Sequence, residues 1–142
     1  MAIKQISVFV ENKPGTLYDV LKVMADAGVN MRAMNVADTK EFGVLRLVAA
    51  NPEEVKKVLG QETIVITTDV IAVEMADKVG SLRDIVKVLA DEKVNIEYAY
   101  AFTTPTKEGA YTVIRVDDVT LAEKALSGKG YALLNQGDID RF

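Results

Sequence analysis

The chain repeats itself. Lys13 to Asn30 reads KPGTLYDVLKVMADAGVN and Lys78 to Asn95 reads KVGSLRDIVKVLADEKVN, at a constant offset of 65 residues. Ten of these 18 aligned positions are identical, where chance at ordinary residue frequencies gives about one or two. Four more are close exchanges: Thr16/Ser81, Val20/Ile85, Leu21/Val86 and Met24/Leu89. A duplication at this period means two copies of one supersecondary unit, each of which must reproduce the same hydrophobic pattern. The expected division is 1–69 and 70–142, with the join near Asp69. A unit of about 70 residues supports only a marginal core by itself. No Gly/Ser/Pro linker separates the copies, so a fixed interface is expected, with the units packed side by side.

Each unit can be followed element by element. Ile6, Val8 and Val10 alternate with Gln5, Ser7 and Phe9, and Ile71, Val73 and Met75 repeat the pattern, which predicts half-buried strands. A turn at Asn12-Lys13-Pro14-Gly15 follows, then Thr16 as a helix N-cap with Asp19 three residues on; Ser81 and Asp84 repeat the device. Leu17, Val20, Leu21 and Met24 form one helical stripe. Gly28 supplies a left-handed C-terminal residue, and Lys93 stands in that place in the second copy. Second strands are expected over Asn30–Ala37 and Asn95–Phe102, with Ile96, Tyr98, Tyr100 and Phe102 sharing a face. Hairpin turns over Asp38–Gly43 and Thr103–Gly109 lead to third strands over Val44–Ala49 and Ala110–Val116. Asn51-Pro52 and Asp117-Asp118 open second helices, which Gly60 and Gly128 close. Last strands cover Thr63–Thr68 and Tyr131–Asn135. The order is β-α-β-β-α-β twice. The fold class is therefore α+β: two tandem ferredoxin-like units, each an antiparallel sheet with both helices on one face.

Composition narrows the chemistry. The chain has no His and no Cys, so a Ser-His-Asp triad, a thiolate nucleophile, a tetrahedral zinc site and a disulfide framework are all excluded. The net charge of −4 argues against binding a phosphate backbone, and no nucleic-acid partner is expected. No run approaches the length of a membrane span, and the N-terminus leads straight into a strand without a signal-like stretch. No membrane partner, a cytoplasmic location and no cofactor or metal are expected. Carboxylates are plentiful, but no spacing marks an acid–base pair, so the protein is not expected to be an enzyme.

The segments Glu11-Asn12-Lys13-Pro14-Gly15-Thr16-Leu17 and Gly28-Val29-Asn30-Met31 resemble the ACT domain, a family of ferredoxin-like regulatory modules that bind amino acids. The second copy carries Asp77-Lys78-Val79-Gly80-Ser81-Leu82 and Val94-Asn95-Ile96. The resemblance covers essentially the whole chain, as two copies without a catalytic domain. It implies a ligand site made by the first βα loop of one unit and the second strand of its neighbour. It also implies a free amino acid as ligand, a metabolic enzyme as possible partner, and association into a homodimer. In the serine-binding relatives of this family, Asn residues occupy the places of Asn12 and Asn30. In the second copy Asp77 replaces the loop Asn and Val79 the Pro, so the two sites are not expected to be equivalent.

The residues themselves suit this use. Gly15 and Gly80 lack a Cβ, so a ligand can approach the backbone. The N–H groups that begin each helix, at Thr16 and Leu17 and at Ser81 and Leu82, suit a carboxylate. Asn12 or Asp77 can receive an α-ammonium, and Asn30 and Asn95 can bridge either end of the zwitterion. Each also has a purely structural use: the glycines as turn formers, Thr16 and Ser81 as caps, and the Asn residues as partners for backbone groups. The alternative function is a protein-interaction subunit without a ligand of its own, docking through sheet surface near Phe9 or Tyr98 and Tyr100.

Overall fold

The computed structural model describes residues 1–38, 41–103 and 110–142. Along the chain come β1 (Ile3–Glu11), α1 (Thr16–Asp26), β2 (Met31–Asp38), β3 (Phe42–Ala49), α2 (Pro52–Leu59) and β4 (Val65–Met75). They are followed by α3 (Ser81–Asp91), β5 (Ile96–Thr103), β6 (Ala110–Val116), α4 (Val119–Gly128), β7 (Leu133–Leu134) and α5 (Gln136–Arg141). Two compact units result. One comprises Lys4–Thr68 with Ile139–Arg141; the other comprises Met1–Ile3 and Asp69–Asp138 with Phe142. The expected hairpin turns fall chiefly on 39–40 and 104–109, outside the described residues.

In the first unit the strand order is β2-β3-β1-β4, with β3 antiparallel to both β2 and β1. Ile6, Val8 and Val10 share a sheet face with Leu45, Leu47 and Ala49, and this face meets Val20 and Met24 of α1 and Val55 and Leu59 of α2. The stripe predicted for α1 thus closes one core together with α2, each large side chain contributing about 1.5–3 kcal/mol by leaving water. The opposite face of β1 is not the solvated one that alternation suggests. Gln5 and Ser7 are buried there, joined by a 3.2 Å hydrogen bond from Gln5 Nε2 to Ser7 Oγ.

The second unit repeats the scheme as β7-β4-β6-β5. Its core joins Ile71, Val73, Ile114 and Val116 to Ile85 and Leu89 of α3 and Ala122 and Leu126 of α4. Both second strands carry an irregularity at the same place in the repeat, between Met31 and Ala33 and between Ile96 and Tyr98. One extra residue reverses which side chains face the helices. Ile96 therefore pairs with Val116 and packs into the core, while Tyr98, Tyr100 and Phe102 pair with Arg115, Val113 and Tyr111. This corrects the expectation that Ile96 lies with the three aromatic residues. Phe102 stacks on Tyr111 at 5.4 Å between ring centroids, and Phe142 lies 6.0 Å from Tyr111. Arg115 meets Glu97 at 3.4 Å and donates to the Asp69 carbonyl at 3.0 Å.

Several helix ends differ from the sequence reading. The N-caps of α1 and α3 are Gly15 and Gly80, both left-handed, so Thr16 and Ser81 are the first helical residues and cap nothing. Asn51 precedes Pro52 as expected but is itself left-handed and makes no side-chain cap bond. Asp118 does cap α4, its carboxylate accepting from Leu121 N–H at 2.9 Å. Gly128 lies inside α4, and the left-handed residue beyond its end is Gly130, at φ +84°. The last strand shrinks to Leu133–Leu134, and the short helix α5 follows, with Ile139 fully buried.

Candidate functional site

At the end of β1 the chain turns through Asn12 to Gly15 into α1. Lys13 N–H donates to the Glu11 carbonyl at 2.9 Å, and Thr16 N–H to the Lys13 carbonyl at 3.4 Å. The Thr16 hydroxyl bridges the same two carbonyls, at 2.6 Å from Glu11 O and 2.9 Å from Lys13 O. Its proton ties the turn together instead of capping the helix. Lys13 Nζ sits 2.6 Å from Glu11 Oε2. Gly15 adopts φ +90°, a conformation that side chains resist, and nothing lies within 4 Å of where its Cβ would be. The first helical hydrogen bond runs from Asp19 N–H to Gly15 O at 3.0 Å. Helix geometry therefore leaves the N–H groups of Leu17 and Tyr18 without intrahelical acceptors, at the positive end of an 11-residue helix.

The second turn has the same backbone. Lys78 N–H donates to Ala76 O, Ser81 N–H to Lys78 O and Asp84 N–H to Gly80 O, at 2.9, 3.3 and 3.0 Å, and Gly80 has φ +89°. The surroundings differ. Arg83 Nη2 comes within 3.1 Å of the position of a Gly80 Cβ, and the same guanidinium holds Asp84 Oδ1 through Nη2 at 2.7 Å and Nε at 3.0 Å. The Ser81 hydroxyl is buried and has no hydrogen-bond partner among the described residues. Asp77, Lys78 and Val79 are exposed, as is Leu82.

The register separates the other candidates from the turns of their own units. Glu11, just before Asn12, pairs with Phe42, whereas Met31, just after Asn30, pairs with Ala49. Those partners are seven residue steps apart along β3, roughly 23 Å at the rise of an extended strand. Met75 and Ile96 are likewise at opposite ends of β6, opposite Ala110 and Val116. Asn12 and Asn30 thus do not meet within one unit, nor do Asp77 and Asn95. Asn30 and Asn95 are exposed, while Met31 and Ile96 pack against the two cores. The Asn95 backbone is clamped by Asp117, whose Oδ1 accepts from Asn95 N–H at 2.9 Å.

One feature of the first unit had no sequence signal. A groove of about 420 Å³ opens beside Thr16, between α1 and the turn that joins α2 to β4. Its walls come from residues as far apart as Phe9 and Ile64, which no local pattern links.

Fold and turns together define a ferredoxin-like module in two copies, each with a glycine turn leading into its first helix. The model of the ACT domain pair matches residues 1–139, and the chain belongs to that family. Protein BT0572 from Bacteroides thetaiotaomicron is 32% identical with a TM-score of 0.92, over 100% of this chain and 98% of that one. The ligand-free regulatory subunit of aspartate kinase from Thermus thermophilus shares the fold at a TM-score of 0.61 and 17% identity, over 89% and 90% of the two chains. Its counterpart from Thermus flavus does so at 0.63 and 18%, over 88% and 90%. No curated protein matches the sequence. No helix among the described residues is long and apolar enough to cross a membrane.

Proposed function

We propose that the protein is a non-catalytic sensor of a free amino acid, acting in the cytoplasm, with 1–69 and 70–142 as its two ACT units. The ligand sits at the turn Asn12-Lys13-Pro14-Gly15-Thr16-Leu17. Its carboxylate is received by the first N–H groups of α1 and its ammonium by the Asn12 side chain. The observation that carries this reading is the open Gly15 turn: left-handed, uncovered, and at the start of a helix of 11 residues. The strand residues Asn30 and Met31 stand at the far level of the sheet, so they serve a ligand held by another ACT unit, in this reading one of a second chain in a homodimer. The turn Asp77 to Leu82, with Asn95 and Ile96, is the weaker site, because Arg83 overlies Gly80. The family and the fold shared with aspartate kinase regulatory subunits support regulation of a metabolic enzyme. Calorimetric and thermal-shift titration of the chain with the twenty amino acids tests the reading. A saturable response to one or a few is expected; a flat response from folded protein overturns it.

A second reading, docking to a partner enzyme without a ligand, is favoured by one observation. Phe9, Phe42, Ile64 and Ile66 of the first unit are all large, apolar and exposed. Recovery of one stoichiometric enzyme partner from the native host, with no amino-acid response, would select it.

A further inference from the structure

We propose that the groove beside Thr16 is a second ligand site, for a compact organic cation with an apolar body, such as a primary alkyl- or arylalkyl-ammonium. Val10, Val20, Val23, Val58 and Leu59 form its apolar part, and its volume of about 420 Å³ lies within the range of small-molecule pockets. The polar part has one character. Glu11, Asp19 and Glu62 line it and no basic residue does. Its two hydroxyls have already spent their protons: Thr16 Oγ1 donates to the Glu11 and Lys13 carbonyls, and Thr63 Oγ1 donates to the Leu59 carbonyl at 2.9 Å. Two backbone donors of its α2–β4 wall are spent as well, Glu62 N–H and Thr63 N–H both being directed to Leu59 O at 3.3 and 3.1 Å. Every polar side chain of the groove therefore offers acceptors only. The complementary group is one that only donates, and an ammonium has three donors and no acceptor. Glu11 is already held by Lys13, whereas Glu62 has no ion pair among the described residues, so Glu62 is the principal counter-charge. A carboxylate is repelled here, which separates this ligand class from a zwitterion bound at the Gly15 turn.

Calorimetric titration of the full-length chain with 2-phenylethylammonium and with 3-phenylpropanoate compares one apolar body under two charges. The ammonium is expected to bind saturably and the propanoate not at all. Glu62→Gln should weaken the ammonium by about three- to tenfold, and Val58→Phe, which fills the groove, should abolish binding. Equal binding of the propanoate, or an ammonium affinity unchanged by Glu62→Gln, overturns the site. Should Val58→Phe fail to fold, the exposed double variant Asp19→Asn/Glu62→Gln decides, with a further loss expected and no loss contrary. The outcome is independent of the amino-acid reading: Asn12→Ala should leave the ammonium affinity unchanged, and loss of it in that variant would also count against a separate site.

Discussion

Arg83 lies over Gly80, its guanidinium 3.1 Å from the place of the missing Cβ, whereas the equivalent Gly15 has nothing within 4 Å. Two turns with the same backbone hydrogen bonds thus present different surfaces: bare amides in one unit, a cation locked to Asp84 in the other. In the sensor reading this makes the sites unequal. Arg83→Ala should therefore raise the number of amino-acid molecules bound per chain from one to two, measured by calorimetry. Arg83 is exposed, so stability should change by no more than about 0.5 kcal/mol. An unchanged stoichiometry in folded Arg83→Ala would show that the Gly80 turn is closed for another reason.

The ends of α1 and α3 allow a matched comparison. Gly28 and Lys93 are equivalent, have φ of +72° and +60°, and make the same bonds, to Ala25 O and Ala90 O at 3.0 Å. Glycine tolerates this conformation, while a side chain suffers a clash with its own backbone. Lys93→Gly should stabilise the protein by about 0.5–1 kcal/mol, and Gly28→Ala should destabilise it by a similar amount. Urea unfolding with an unchanged slope is the measurement.

The duplication made the topology readable, because two copies had to satisfy one pattern of strand and helix periods. What escaped was set by single residues or by distant contacts. A β-bulge has no compositional mark, so plain alternation puts Ile96 on the face of Tyr98, whereas the bulge turns it to the helices. Thr16 and Ser81 carry the right chemistry for caps, but the left-handed glycines before them take the cap position. The candidate turns are visible in the sequence as Gly15 and Gly80 in a repeated motif. Arg83 over one of them is not, since a rotamer decides it, and the groove depends on segments some 50 residues apart.

At α4 the cap is real, and it should be measurable. Asp118 accepts from Leu121 N–H at 2.9 Å from an extended N-cap conformation. Asp118→Ala should cost about 1 kcal/mol, and Asp118→Asn much less, because the amide oxygen still accepts the bond. Equal losses in the two variants, by chemical denaturation near neutral pH, would mean that charge on the helix dipole matters more than the hydrogen bond.

Lys22 supplies a prediction in pH. Its ammonium lies 2.5 Å from Asp26 Oδ2, one turn along α1. The hydrogen bond to Asp26, then the Asp26 charge and, last, the more distant Asp19 charge hold its pKa above 10.5, against a small opposing desolvation. A folded pKa raised above the unfolded one means that the folded chain binds this proton more tightly. The pair's contribution to stability is therefore complete below the unfolded value and fades as pH rises through the higher folded value. Both side chains are largely exposed, so the effect should be small and should shrink further in salt. An NMR titration of the Lys22 side chain should show Asp26→Asn lowering the midpoint toward 10.5, with Asp19→Asn lowering it less. If Asp19→Asn gave the larger drop, the local hydrogen bond would not be the dominant cause, and the charge at the mouth of the groove would be acting on Lys22 directly.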